Sequence, residues 1–297
     1  MKKDKKTPAN KSDKKTHELQ GKKQEAYEDS YLPADLSHLD WSKGVRGKYY
    51  KKAAATDFLK LLQTEIKNFN DKKVISSESG EWAVKGFIDI FKNIYTISGD
   101  TKVISKLIEL MLFPYFLAFA DKHKLKVILS REQNHYPDLT FIDEAGCKFA
   151  VDLKSTYRIS PEKVNTMTLG AFTGYFRNRS STKNTTFPYG EYSGHFVLGV
   201  IYTRVDIKTN EFKLHSLDEL EEIPSVIKDV EFFAQPKYRI ANDQPGSGNT
   251  KNIGAIGILS ELIIGNGPFA SLGEDVFDDY DLERWAEDNG YILEATK

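Results

Sequence analysis

Apolar residues first fall at helical spacing at Phe58, Leu61, Leu62, Ile66 and Phe69, so TDFLKLLQTEIKNF predicts a helix opening near Thr56. Residues 83–97 read as strand or mixed structure. A long helix is expected after Ser98-Gly99-Asp100, capped by Ser98 or Asp100 and bending near Pro114. Short runs of β character follow at Lys126–Leu129, Leu139–Ile142, Lys148–Lys154, Phe196–Val205 and Glu211–Leu214. Thr168–Phe176 has helical spacing, 241–252 (ANDQPGSGNTKN) reads as a loop, and Ile253–Ile264 returns to apolar character. Strands and helices alternate without a Rossmann glycine fingerprint. This predicts an α/β fold with a mixed central β-sheet flanked by helices.

Composition narrows the partners. The 42 basic and 43 acidic residues nearly cancel, so the overall basic character of many nucleic-acid binders is absent. The charge is nonetheless uneven. Residues 1–25 hold nine lysines against four acids, and 271–297 hold nine acids against Arg284 and Lys297. The lysine-rich start is too poor in apolar residues to offset its ordering entropy, so 1–40 is expected to be a disordered extension. The further divisions expected are a short accessory segment at 41–55, the main domain at 56–270 and an acidic segment at 271–297. The single cysteine, Cys147, excludes an internal disulfide and a four-cysteine zinc site, and fits a cytoplasmic setting. The first 25 residues contain no apolar signal region, and Lys106, Glu109 and Pro114 interrupt the most apolar stretch, Val103–Ala120. That stretch is expected to be a buried helix, with no membrane partner.

The densest candidate chemistry lies in QNHYPDLTFIDEAGCKFAVDLKSTY, residues 133–157. Pro137 biases the chain before it towards extended backbone and presents Asp138 at the start of a strand. Asp152 and Lys154 alternate with Val151 and Leu153, so on a strand both charged side chains share one face. Charges on a core strand carry a desolvation cost, and such charges gather at functional sites. If Asp138 and Asp152 meet, two hard oxygen donors repel each other unless a cation such as Mg²⁺ lies between them. Lys154 beside them would stabilise charge on a transferring phosphoryl group. The Asp-x-Lys pattern is not selective, since it occurs six times; only the copy at Asp152 lies in an apolar strand shortly after a Pro-Asp. A structural ion pair remains an alternative. Glu109, in an apolar helix, needs a partner: either Lys106 or a nearby arginine, or a role as a third acid near the metal. The loop Gly246-Ser247-Gly248-Asn249-Thr250 is not a Walker loop. Its small residues, amide and methyl suit base edges in a DNA major groove, and an ordinary turn has the same composition. His135 has no second histidine at ligand spacing and reads as a polar contact.

The runs SGDTKVIS (98–105), IEL (108–110), QNHYPDLT (133–140), VDLKSTY (151–157), TLGAFT (168–173), YTRV (202–205) and GSGNTKNIG (246–254) resemble the EcoRV family of type II restriction endonucleases. The likeness covers roughly 94–265. It implies a restriction-endonuclease-like fold and a Mg²⁺-dependent homodimer that clamps double-stranded DNA, in a bacterial cytoplasm. It also implies Asp138 and Asp152 as metal ligands, Lys154 as the catalytic lysine and Glu109 as a further acidic residue near the metal. Gln133, Asn134 and His135 would approach the minor groove, and Gly246, Gly248, Asn249 and Thr250 would read the major groove. Lys102, Thr168, Thr173, Lys183 and Arg204 match positions near the DNA backbone. The retained GSGNT implies cutting of GATATC at its centre, leaving blunt ends with 5′-phosphates. A sequence-specific binder that does not cut and a nuclease of altered specificity are the alternatives. The acidic C-terminal segment departs from the family's basic one; the lysines of the N-terminal extension could substitute for that charge.

Overall fold

The computed structural model describes residues 44–130, 132, 134–206, 214–246 and 251–280. The expected extension at 1–40 and most of the acidic end therefore lie outside the described residues. In chain order the elements are α1 (Gly44–Lys72), β1 (Gly86–Ile88), β2 (Ile94–Thr96), α2 (Thr101–Lys122), β3 (Lys126–Leu129) and β4 (Leu139–Ile142). There follow β5 (Lys148–Ser160), β6 (Lys163–Val164), β7 (Thr168–Ala171), β8 (Tyr192–Arg204) and β9 (Leu214–His215). The last are β10 (Ile227–Pro236), α3 (Lys237–Ile240), β11 (Ala241–Pro245), β12 (Asn252–Ala255), α4 (Leu259–Ile264) and α5 (Glu274–Asp279).

The central sheet runs β10-β8-β5-β4-β3, with β6 attached to β5. The β5–β8 pair is parallel and the others are antiparallel, so the sheet is mixed as expected. Each face carries its own core because side chains alternate along β5 and β8. Phe149, Val151, Leu198 and Val200 face α1 and α2, while Ala150, Val197 and Ile201 face the layer holding β7, β12 and α4. Phe58 of α1 centres the first core, stacked 4.4 Å from Phe149 and close to Phe119, Phe141 and Phe196. Burying one such ring contributes about 2–3 kcal/mol.

α1 begins at Gly44, so the expected boundary between an accessory segment and the main domain falls inside one helix. Tyr50, Ala54 and Ala55 pack against the core, as do Phe58, Leu62, Ile66 and Phe69; Leu61 faces outward. The helix also shields the edge strand β10. Asn70 exchanges two 2.8 Å hydrogen bonds with the backbone of Phe232, and Gln63 donates to the carbonyl of Ala234. These bonds satisfy ladder groups at an edge that would otherwise be open. α2 starts where Asp100 caps it, accepting from Lys102 N at 2.8 Å and Val103 N at 3.3 Å. It continues through Pro114 and is long and apolar enough to cross a membrane by length and composition alone. Here Ile104, Ile108, Leu112, Phe116 and Phe119 are buried in the first core.

Two expectations are corrected. Thr168–Phe176 is a strand followed by a 3-10 turn and not a helix: Gly170 and Gly174 hold positive φ, and β7 pairs with β12. The expected loop 241–252 opens as strand β11, paired with β12.

The expected acidic segment, taken to begin at 271, starts inside the fold. Phe277 of α5 is buried in the second core. Burial, with the charges of Asp278 and Asp275, pushes the Glu274 carboxyl up to about 7. Burial also pushes Asp278 up to about 6, against the pull of Arg179 and Lys237. Raised carboxyl pKa values mean that the folded state holds extra protons. This contribution is complete below the ordinary carboxylate range and is lost as pH rises through about 6 to 7. Glu274→Gln is therefore expected to melt roughly 2–4 °C above the parent at pH 8, with the gap closing towards pH 5. Thermal melts across that range check it.

Candidate active site

β4 and β5 pair with Leu139 opposite Val151. Asp138, one residue before β4, thus stands across from Asp152. Because β4 begins at Leu139, it offers no ladder partner beyond Asp152, and the N–H of Leu153 is left over. Asp138 Oδ2 takes that N–H at 2.7 Å, so the carboxylate does the work of the missing strand. Asp152 is 7% exposed, and its Oδ2 lies 2.5 Å from Lys154 Nζ on the same strand face. The three groups expected from the sequence are brought together.

Their electrostatics reflect this crowding. Burial first, and then the charge of Asp152, pushes the Asp138 carboxyl up to about 7, although Lys154 and the Leu153 N–H oppose the shift. Burial works against the charge of Lys154, but the two carboxylates outweigh it and hold its pKa above the usual lysine value. Two hard carboxylates under mutual repulsion form a donor set that suits Mg²⁺, whose charge would relieve that repulsion.

A cavity of about 110 Å³ adjoins the pair, lined by Ser105, Ile108 and Glu109 of α2 with Asp138, Leu153, Lys154, Ser155 and Val200. Glu109 reaches this cavity, but it is not sealed in an apolar helix as its neighbours suggested. Its side chain is 41% exposed and pairs with Lys106 at 2.6 Å. Among the described residues no group of three or more acidic, histidine or cysteine side chains is placed to hold a metal. Sequence reasoning missed Ser105 and Ser155, whose hydroxyls meet at 2.6 Å in the cavity wall; nothing in their local pattern marks them. A larger cleft of about 580 Å³ lies between α1, the start of β8 and α5, away from the acid pair.

Most of the described DNA-contacting candidates fall into two groups. Asn134 is exposed and His135 half-buried, and the next residue, Tyr136, bonds through its N–H to Asn184 O at 3.0 Å. That places the 134–136 loop beside exposed Lys183. The second group lies on the β11–β12 hairpin. Gly246 N donates to Asn252 O at 2.7 Å, and a Cβ on Gly254 would lie 3.1 Å from Gly246 Cα, so a side chain at either glycine would crowd the facing backbone. β12 pairs Gly254 with exposed Thr168, and Phe172 N donates to Lys251 O, setting exposed Thr173 next to the same hairpin. Gln133, Gly248, Asn249 and Thr250 lie outside the described residues. Lys102 is exposed at the start of α2; Arg204, also exposed, covers the Tyr157 ring at 5.0 Å.

Comparison with known proteins places the chain in a family. The family model described as restriction endonuclease EcoRV matches residues 78–289. The type II restriction enzyme EcoRV of Escherichia coli is 39% identical over 206 residues, covering 68% of this chain and 82% of the relative.

Proposed function

The chain belongs to the EcoRV family of type II restriction endonucleases, which are site-specific deoxyribonucleases, and on that premise we propose that it cuts double-stranded DNA at GATATC in a Mg²⁺-dependent reaction. The observation that carries this reading is the convergence of Asp138, Asp152 and Lys154 where β5 passes the start of β4. Asp138 and Asp152 would hold the ion, which supplies positive charge and acidifies water when bound. Lys154 keeps its ammonium protonated beside Asp152 and stabilises the charge that grows on the scissile phosphate. The Leu153 N–H fixes the Asp138 carboxylate, so the acid pair is oriented before DNA arrives. Water attacks phosphorus in line with the P–O3′ bond, leaving a 3′-hydroxyl and a 5′-phosphate. Glu109, held by Lys106, borders the site as a further acidic group.

Asn134 and His135, with Gln133, take the minor-groove role in this reading. Gly246, Gly248, Asn249 and Thr250 read the major groove, while Lys102, Thr168 and Lys183 grip phosphates. The retained GSGNT at 246–250 supports GATATC as the target. The test is a digest of mixed-sequence DNA with the ends sequenced. Blunt ends flanked by GAT and ATC are the expected result. Cuts at another palindrome would keep the nuclease and replace its specificity.

A palindromic target suits a two-fold symmetric protein, and the sheet β1-β2-β9 supports a homodimer. Its tip exposes Ile90 and Phe91, which are 90% and 77% accessible, with Phe87, Ile88, Tyr95 and Leu214 beside them. Asp89 fixes that tip, accepting from the N–H groups of Phe91 and Asn93 at 2.9 Å and from the Tyr95 hydroxyl at 3.1 Å. An apolar patch presented on a rigid turn is a protein-binding face. A bacterial cytoplasmic setting completes the reading.

A further inference from the structure

Lys237 opens α3 directly after β10 and is only 2% exposed. Its Nζ has no hydrogen-bond partner among the described residues. It stands over three rings instead, 4.9 Å from the centroid of Tyr136, 5.6 Å from Phe176 and 5.7 Å from Tyr189. A Cβ on Gly170 would lie 3.4 Å from both this nitrogen and the Tyr175 hydroxyl, so β7 approaches the ammonium closely as well. Burying an ammonium without hydrogen bonds is costly, and a methionine would occupy similar space without that cost. Ring faces recover part of the cost. Burial pushes the Lys237 ammonium down to about 8, against the pull of Asp152, the largest of the charges acting on it.

The surroundings connect this residue to the acid pair by a second route. Tyr136 is two residues before Asp138; it stacks on Tyr175 at 4.9 Å and its hydroxyl bonds His195 Nδ1 at 2.9 Å. Lys237 also leads through α3 into β11, the strand that ends at the Gly246 loop.

We propose that Lys237 is a positioning residue for the proposed active site. Its buried ammonium, seated on Tyr136, Phe176 and Tyr189, acts through charge on Asp152 and through the Tyr136 ring on the segment carrying Asp138. It thereby ties the β11–β12 hairpin to the acid pair. A purely structural lysine would stabilise the fold whatever stands at 152; a positioning lysine depends on that carboxylate.

The experiment is a thermal-melting cycle on the full chain, combining Lys237→Met with Asp152→Asn, alongside cleavage and binding assays of the Lys237 variant. With Asp152 in place, removing the ammonium loses an attraction that offsets its burial. With Asn at 152 that attraction is already gone, so Lys237→Met should shift Tm more favourably there, by roughly 3 °C or more. The single variant should bind cognate duplex within about twofold of the parent and cleave it about tenfold more slowly or worse. Additive Tm changes, or a cleavage rate equal to the parent's, would overturn the proposal. Lys237→Gln is run in the same cycle; if neither variant folds in either background, Lys237 holds the fold and the proposal also fails. The cleavage arm rests on the nuclease reading and the melting arm does not. A parent that never cuts therefore defeats that reading, while the cycle still decides the role of Lys237.

Discussion

Asp152→Asn is expected to slow DNA cleavage about 10³-fold or more while leaving binding to the cognate site in place. Asparagine has the shape of the carboxylate, so β5 and its parallel pairing with β8 are undisturbed. What disappears is the charge. Lys154 loses the partner 2.5 Å from its Nζ. Asp138 loses the like charge that, after burial, does most to push its carboxyl up to about 7, and should ionise at a lower pH. The expected groove-reading residues are not on β5, which is why binding should survive. Single-turnover cleavage beside gel-shift titration separates the two effects. A variant that still cuts at the parent rate would make the Asp152–Lys154 contact a structural ion pair.

The second large effect concerns assembly. Substituting both Ile90→Asp and Phe91→Asp is expected to weaken self-association at least about 100-fold and to abolish double-strand cutting at ordinary enzyme concentrations. Both side chains lie at the exposed turn between β1 and β2, in a separate sheet from the one that carries the acid pair. The Asp89 turn that holds them is made by its own side chain and by backbone N–H groups, so the variant keeps its local fold. Sedimentation velocity should show the parent as a dimer and the variant as a monomer. A parent that sediments as a monomer yet cuts both strands would remove the homodimer from the account.

The sequence made the candidate centre legible because its cause is local. Alternation alone puts Asp152 and Lys154 on one strand face, and Pro137 marks where Asp138 meets the start of β4. The ends of β3 and β4 were equally readable from apolar runs, and capping chemistry narrowed the start of α2 to Ser98 or Asp100, of which Asp100 is the cap. Errors came where distant pairing decides. Leu169, Phe172 and Phe176 sit at helical spacing, but Gly170 and Gly174 at positive φ and the ladder to β12 make a strand and a turn. Ala241–Pro245 carries turn-forming residues, yet its partner β12 draws it into a hairpin. β10 was not anticipated; its ladder lies against β8, and its edge is covered by Asn70 and Gln63 from α1. α1 starts twelve residues before the helix expected near Thr56, since Tyr50, Ala54 and Ala55 find a core that the local pattern does not reveal. Glu109 pairs with Lys106, one of its expected partners, and only its burial was misread: α2 leaves Leu110 and Leu117 exposed, so an apolar neighbourhood in sequence did not mean burial. Lys237 escaped notice because nothing in its immediate sequence says that three rings close over it.

The central claim is that the two carboxylates and the lysine gathered where β5 passes the start of β4 form a phosphodiester-cleaving centre. Its most direct test is incubation of the purified chain with a supercoiled plasmid carrying one GATATC, with and without Mg²⁺, beside a plasmid lacking the site. The account predicts a single linear product bearing 5′-phosphates, only with the site and only with Mg²⁺. Both plasmids remaining supercoiled at large enzyme excess with Mg²⁺ present would contradict it.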